Sequence, residues 1–298
     1  MLKGGRFAKE GRPYEKDPTI LLNHHFHVCV CGQSAIWRNV SSNQHTRRGN
    51  QSCAARDRCR GEFGQFLAAK SNVFVASYKN AVAVGPRTPT AAVFKKTDTG
   101  FEQQATLFVP TQANLSLQGL ATDGNDIAIF GVEGGTSVIY IFGRQQEEWL
   151  LETRLLPSER IGSISISDGV MVAGAAFKAL VFESKTGEWT ENPILPPDGI
   201  PGVVRNGFGA AVSVNHGTII ITAVGDIRSD PGRAYVYVRN EATWLLEAEL
   251  RPDDYIYAKF GSAVSLDADT ALVSVYPTAY NSGMVYLFQR AAGVIKGG

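Results

Sequence analysis

FGSAVSLDADTALVSVYPTAYNSGMVYLFQR, residues 260–290, holds three strand-like runs in succession. Ala263 to Leu266 alternates small or polar with apolar residues, Thr270 to Val275 is dense in β-branched and apolar side chains, and Met284 to Phe288 repeats that density. Such residues favour extended backbone because their side chains fit a pleated, partly buried surface. The tight polar turn Asp267-Ala268-Asp269 parts the first two runs, and a longer loop of Pro, Tyr, Asn and Gly parts the last two. The stretch predicts an antiparallel meander of strands A, B and C.

Weaker copies lie upstream. With the turn residue set at the eighth position, copies start at 63, 116, 161, 208 and 260, spaced by 53, 45, 47 and 52 residues. Each of the first four adds a fourth strand, D, in which an aromatic is followed six residues on by Leu: Phe101…Leu107, Trp149…Leu155, Trp189…Leu195 and Trp244…Leu250. In the last of these, Trp244, Leu246, Ala248 and Leu250 alternate with Glu247 and Glu249, which predicts one dry and one wet face. The B runs, such as Ile219-Ile220-Ile221, are apolar on both sides and predict cover on both. Four-stranded antiparallel units repeated at this period, each burying its faces on its neighbours, define an all-β fold of the β-propeller type. Five copies predict five blades; an open arc of a larger ring is the alternative.

The opening Phe-Gly, the polar turn, the apolar strand, the Gly-x-x-Tyr-x-Phe/Tyr strand (Gly232 to Tyr237, Gly283 to Phe288) and the Trp strand ending in Leu resemble FG-GAP repeats, the blades of integrin-alpha-like propellers. The resemblance covers residues 63–290 and is strongest from 204 on. The second copy lacks Phe-Gly, and no copy carries the family's Gly-Ala-Pro after strand B. The resemblance implies a non-catalytic adhesion-type module, extracellular or at the cell surface, with a protein or glycan as its partner.

Residues 1–62 differ from the rest. They hold all four cysteines, four of five histidines and eleven basic residues against five acids. No apolar signal-peptide core is readable in MLKGGRFAKEGRPYEKDP, and no run of eighteen apolar residues predicts a membrane span. Residues 43–62 read as a linker. Cys29, Cys31, Cys53 and Cys59 with His24, His25 and His27 lack the paired C-x-x-C spacing of a zinc site, which leaves disulfides or free thiols. Val28 to Cys31 followed by Trp37 matches Tyr235 to Val238 followed by Trp244, so residues 28–42 read as a C–D strand pair. Since the last copy has no good D strand of its own, the Trp37 strand is expected to close that blade.

Strand alternation sends the D-to-A and B-to-C connections to one end of every blade, and the short A-to-B and C-to-D turns to the other. The long end carries Tyr255, Tyr257, Tyr276 and Tyr280 near Asp226, Arg228 and Asp230. Tyr and Arg anchor interfaces and stack on sugars, so Tyr255, Tyr257, Tyr276, Tyr280, Asp226 and Arg228 are the candidate ligand site. The competing reading has these tyrosines filling gaps between blades. No cofactor or metal is expected: the A-to-B turns that carry calcium loops in the resembled family have shrunk to Asp267-Ala268-Asp269 or less, too few oxygens for calcium. No hydrolase, P-loop or dinucleotide fingerprint occurs. A carbohydrate-active enzyme using Asp198, Asp253 and Asp254 is the alternative function. The basic stretch Arg38 to Arg60 lacks the interleaved aromatics of a nucleic-acid surface, and sequons at Asn39, Asn50 and Asn114 say little about secretion.

Overall fold

A computed structural model describes residues 7–8, 27–31, 34–38, 63–78, 82–83, 88–111, 114–185, 187–199, 207–226, 230–252, 259–276 and 283–290. Among them no helix is long and apolar enough to cross a membrane.

Strands β1 (Phe7–Ala8), β2 (His27–Cys31) and β3 (Ser34–Arg38) precede the blades. The first blade is β4 (Phe63–Lys70), β5 (Val73–Tyr78), β7 (Pro89–Thr97) and β8 (Gly100–Phe108), with the short β6 (Val82–Ala83) inside its B-to-C connection. The second is β9 (Leu115–Thr122), β10 (Asp126–Glu133), β11 (Thr136–Gln145) and β12 (Glu148–Leu155). The third is β13 (Ile161–Ser167), β14 (Val170–Ala175), β15 (Lys178–Lys185) and β16 (Glu188–Ile194). The fourth is β17 (Phe208–Asn215), β18 (Thr218–Asp226), β19 (Asp230–Asn240) and β20 (Thr243–Leu250), and the last has β21 (Lys259–Asp267), β22 (Thr270–Tyr276) and β23 (Met284–Arg290). The fold is thus an all-β, five-bladed β-propeller, and every blade begins within one residue of the expected start.

The chain divides into two compact units. One comprises Arg12–Gly135 and Tyr140–Arg154; the other comprises Leu155–Gly298 with Met1–Gly11 and Thr136–Ile139. In the first unit β6 leaves its own blade and pairs with the inner strand of the second, Val82 opposite Ser116 and Ala83 opposite Leu115. The β2–β3 hairpin, expected as a strand pair, forms, with Val28 opposite Trp37. Its destination differs from the expectation: β3 meets β8 at Ala35 and Phe101, extending the first blade. The hairpin is already satisfied on one edge of β3, and the free edge pairs with the open D strand of the first blade. The N-terminal strand on the last blade is instead Phe7–Ala8, opposite Arg290 and Gln289.

In the second unit consecutive blades share dry walls. Phe208, Val212, Val214, Ile219, Ile221 and Tyr235 of the fourth blade pack on Val172, Ala179 and Val181 of the third. On its other face, Ile220, Ala234, Val236 and Leu250 pack on Phe260, Leu266, Ala271, Val273 and Val275 of the last. Burial on both faces of Ile219-Ile220-Ile221 follows from this layering. The expected single dry face of the Trp244 strand does not hold. Glu247 is an extra residue opposite Val236 and Tyr237, and such a bulge turns the alternation over. Trp244 therefore packs on the wall shared with the third blade, while Ala248 and Leu250 pack on the wall shared with the last.

Candidate binding rim

The Phe-Gly pairs that open strand A shape the long-connection end. After Phe63, Phe208 and Phe260, four residues of strand A span two of strand B before regular pairing resumes. The freed amides need partners. Phe66 N–H donates to Ser77 Oγ at 3.0 Å, Ala211 N–H to Thr222 Oγ1 at 2.9 Å, and Ala263 N–H to Ser274 Oγ at 2.9 Å. In every case the hydroxyl stands fourteen residues after the Phe. The copies without Phe-Gly have Phe130 and Ala175 at that count and a smaller, two-against-one irregularity. Gly209 sits at φ +91°, and a Cβ there would lie 2.3 Å from the Ala175 carbonyl oxygen of the preceding blade, so only glycine fits.

Of the six residues expected to bind ligand, Tyr276 is the one whose side chain is described. It ends β22 and is 61% exposed. Asp226 ends β18, its backbone opposite Asp230. Tyr255, Tyr257, Tyr280 and Arg228 lie outside the described residues, as do Asp253 and Asp254 of the enzyme alternative. Asp198 is exposed in the turn after β16.

A groove of about 530 Å³ opens beside Tyr276, lined also by Ser262, Ser274, Val275, Met284 and Val285. The Ser262 and Ser274 hydroxyls lie 2.9 Å apart and serve the bulge, so the ligand-facing chemistry is the Tyr276 ring and phenol with the flexible Met284 thioether. Sequence reading missed Met284 and Val285, which it assigned only as strand C. A cleft of about 340 Å³ lies at the same end of the third and fourth blades, between Arg160, Gly174, Ala175 and Phe208 to Ala210.

An ionic network braces the fourth blade at this end. Arg233 donates to Asp230 at 2.9 Å and lies 3.1 Å from Glu249, which also accepts from Arg251. Two cations and two carboxylates balance, so the network is a brace rather than an ion trap. Behind it the Tyr235 hydroxyl is buried without a hydrogen-bond partner among the described residues; burial above all, reinforced by Glu249, raises its pKa.

The opposite end carries the short turns. Asp168-Gly169 and His216-Gly217 have positive φ at both residues, the mirror-image turn that matches strand twist. His216 Nδ1 lies 3.0 Å from Asp168 Oδ2 of the preceding blade, and both are exposed. In the second blade Asp126 stands near Asp123 and Glu152, and burial with these two charges pushes its pKa up to about 6. Among the described residues no group of three His, Cys, Asp or Glu is placed to hold a metal.

No protein-family model and no curated protein matches the chain. Solved structures do resemble it. Hsv2 from Kluyveromyces lactis matches with a TM-score of 0.45 at 13% identity, over 77% of this chain and 63% of that one. Hsv2 from Kluyveromyces marxianus matches with a TM-score of 0.46 at 12% identity, over 76% of this chain and 61% of that one. The chain therefore spans under two thirds of the length of these Hsv2 structures.

Proposed function

We propose that the chain is a non-catalytic, FG-GAP-like propeller module that binds a protein or glycan through the long-connection rim. The observation that supports this most is the groove beside exposed Tyr276, at the end of the last blade where strand A begins and strand B ends. A rigid sheet end bearing a shallow, partly aromatic groove suits recognition of a sugar face or a loop more than it suits chemistry, which needs convergent titratable groups. Binding to a glycan array and to a panel of cell-surface ectodomains is expected, with Tyr276→Ala lowering affinity about tenfold or more, as for other aromatic anchors. Binding indifferent to Tyr276 and Met284 would remove the reading. Turnover of aryl glycosides that is lost in Asp253→Asn or Asp254→Asn would replace it with the enzyme.

A further inference from the structure

One backbone bond marks the same place in all five blades. The strand C residue whose amide donates to a carbonyl of the A-to-B turn is Lys96, Arg144, Ser184, Arg239 and Arg290 in turn, at 2.8 to 3.0 Å. Counting from that bond puts Lys95 at the place of Glu183, Arg144 at that of Arg239, and Trp149 at that of Trp244. Gln104 is a surplus residue opposite Val93 and Phe94, as Glu247 is opposite Val236 and Tyr237, so Gln104 holds Glu247's place in the first blade. The turn ends of the first two blades lie together, since a Cβ on Gly124 would be 3.7 Å from the Lys70 carbonyl oxygen.

At the marked place Arg239 and Arg290 each take a carboxylate from the preceding blade. Glu183 accepts from both terminal nitrogens of Arg239, at 2.9 and 3.0 Å, and from Trp244 Nε1 at 3.1 Å. Glu247 accepts from Arg290 at 2.8 Å. The second blade keeps the donors, Arg144 and Trp149, but the first blade offers Lys95 and Gln104 where those carboxylates would stand. Trp149 is 8% exposed, and its indole N–H is buried without a hydrogen-bond partner. A buried donor left unmade is costly enough to need a reason. Arg144 reaches instead to Glu147 at 3.1 Å, in its own C-to-D turn, a side chain 76% exposed. Among the described residues Lys95 has no ion-pair partner, and Glu102, opposite it in the pairing, is exposed. The Gln104 amide oxygen is buried and unpartnered as well, and the amide presents a donor when turned over.

We propose that the joint between the first and second blades binds a small carboxylate, which does there what the Glu183 side chain does between the third and fourth. The Trp149 N–H and the Arg144 guanidinium donate to its oxygens, and the half-buried Lys95, whose flexible stem carries the ammonium to the mouth of the wall, adds a second positive charge. Arg144 gives up only an exposed surface pair, worth little. A carboxylate suits the donors better than a tetrahedral oxyanion does, because a planar fork beside an indole is the set that already holds a carboxylate in this chain. The site shares no residue with the Tyr276 groove, so the two binding readings stand or fall separately.

Sodium acetate, titrated into the full chain at constant ionic strength with sodium chloride as the balancing salt, tests the proposal. The indole N–H resonance of Trp149, assigned by its loss in Trp149→Phe, is expected to shift saturably while the other three indoles stay in place. Arg144→Gln is expected to weaken the apparent affinity roughly tenfold or more. Lys95→Glu supplies the carboxylate from within the chain, so it is expected to raise the unfolding midpoint and to abolish the acetate response. A wild type whose Trp149 resonance ignores acetate overturns the proposal, as does a response that survives in Lys95→Glu. A shift that chloride alone reproduces shows charge screening only and overturns it too. Inorganic phosphate moving the resonance where acetate does not would assign the site to a tetrahedral oxyanion and overturn the carboxylate. Should Lys95→Glu fold poorly, an acetate affinity unchanged in Arg144→Gln is enough to sink the assignment.

Discussion

Glu183 shows how much a single carboxylate can organise. It is buried on strand C of the third blade, yet its carboxylate accepts from the fourth: from both terminal nitrogens of Arg239 and from the indole N–H of Trp244, over whose ring Arg239 lies at 5.4 Å. A forked cation matched to a carboxylate, with the third lone pair used by an indole, is the geometry in which a buried ion pair is worth keeping. Glu183→Ala strands a part-buried guanidinium and an indole donor, and is expected to cost about 3 kcal/mol in urea-induced unfolding, whereas Trp244→Phe, which removes one hydrogen bond, costs about 1 kcal/mol. Asp126 acts in the opposite sense. Its folded pKa, near 6, lies above the ordinary carboxylate value of 3.8, so the folded state holds the proton more tightly. Stability is therefore full below the unfolded value and is lost as pH rises through 4 to 6. Asp126→Asn should raise stability at pH 7 and above by about 1 kcal/mol after allowing for solvent screening, with the gain gone at acid pH. A pH series of unfolding midpoints checks it, and an equal gain at both ends of the series would disprove the assignment.

The Phe-Gly strand opening is an element whose purpose becomes plain only with its partner strand. Phe208 and Phe260 are buried anchors, the glycine after each lets the chain pass close to the preceding blade, and the residue third after the Phe loses its ladder partner to the bulge. The hydroxyl on strand B restores it. Thr222 both accepts from Ala211 N–H and donates to Ala211 C=O, at 2.9 and 3.2 Å, with no water access. Thr222→Val keeps shape and removes both bonds, so it should cost about 2 kcal/mol, while Thr222→Ser should be near neutral; a loss in Thr222→Ser with none in Thr222→Val would show that the methyl, not the hydroxyl, matters. Strand order and strand A starts were legible in the sequence because hydrophobic period and turn residues are local. The Ser/Thr at fourteen residues was equally present in the letters, but nothing local marks a hydroxyl as the cure for a bulge formed by another strand. The Glu247 bulge escaped for a related reason: a strict alternation of Trp, Leu, Ala and Leu looks complete, and only pairing with Val236 and Tyr237 reveals that one residue is surplus.

Across the whole molecule, repeat position does not by itself decide what a residue experiences. The sequence showed five units and which end would carry long connections, since both follow from counting strands. It could not show what lies against the outer face of the last unit, because that depends on a neighbour the repeat does not encode. The candidate site was legible only as far as Tyr276: the loop residues named with it fall outside the described structure, and the groove that makes Tyr276 useful is completed by strand residues, Met284 and Val285, that read as ordinary core. The pair Val236 and Leu287 isolates the point, for they occupy the same place in the pairing of their blades and differ in burial, 0% against 57% exposed. In a repeat architecture stability is a sum of unit and nearest-neighbour terms, so a charge at the two positions probes the neighbour term alone. Val236→Asp places an unpaired carboxylate in a dry wall and should cost 4 kcal/mol or more, about the largest loss a single substitution produces, and abolish cooperative unfolding. Leu287→Asp, at a position 57% exposed, should leave stability within about 0.5 kcal/mol of wild type. Were both substitutions equally damaging, place in the pairing register rather than burial would set the cost.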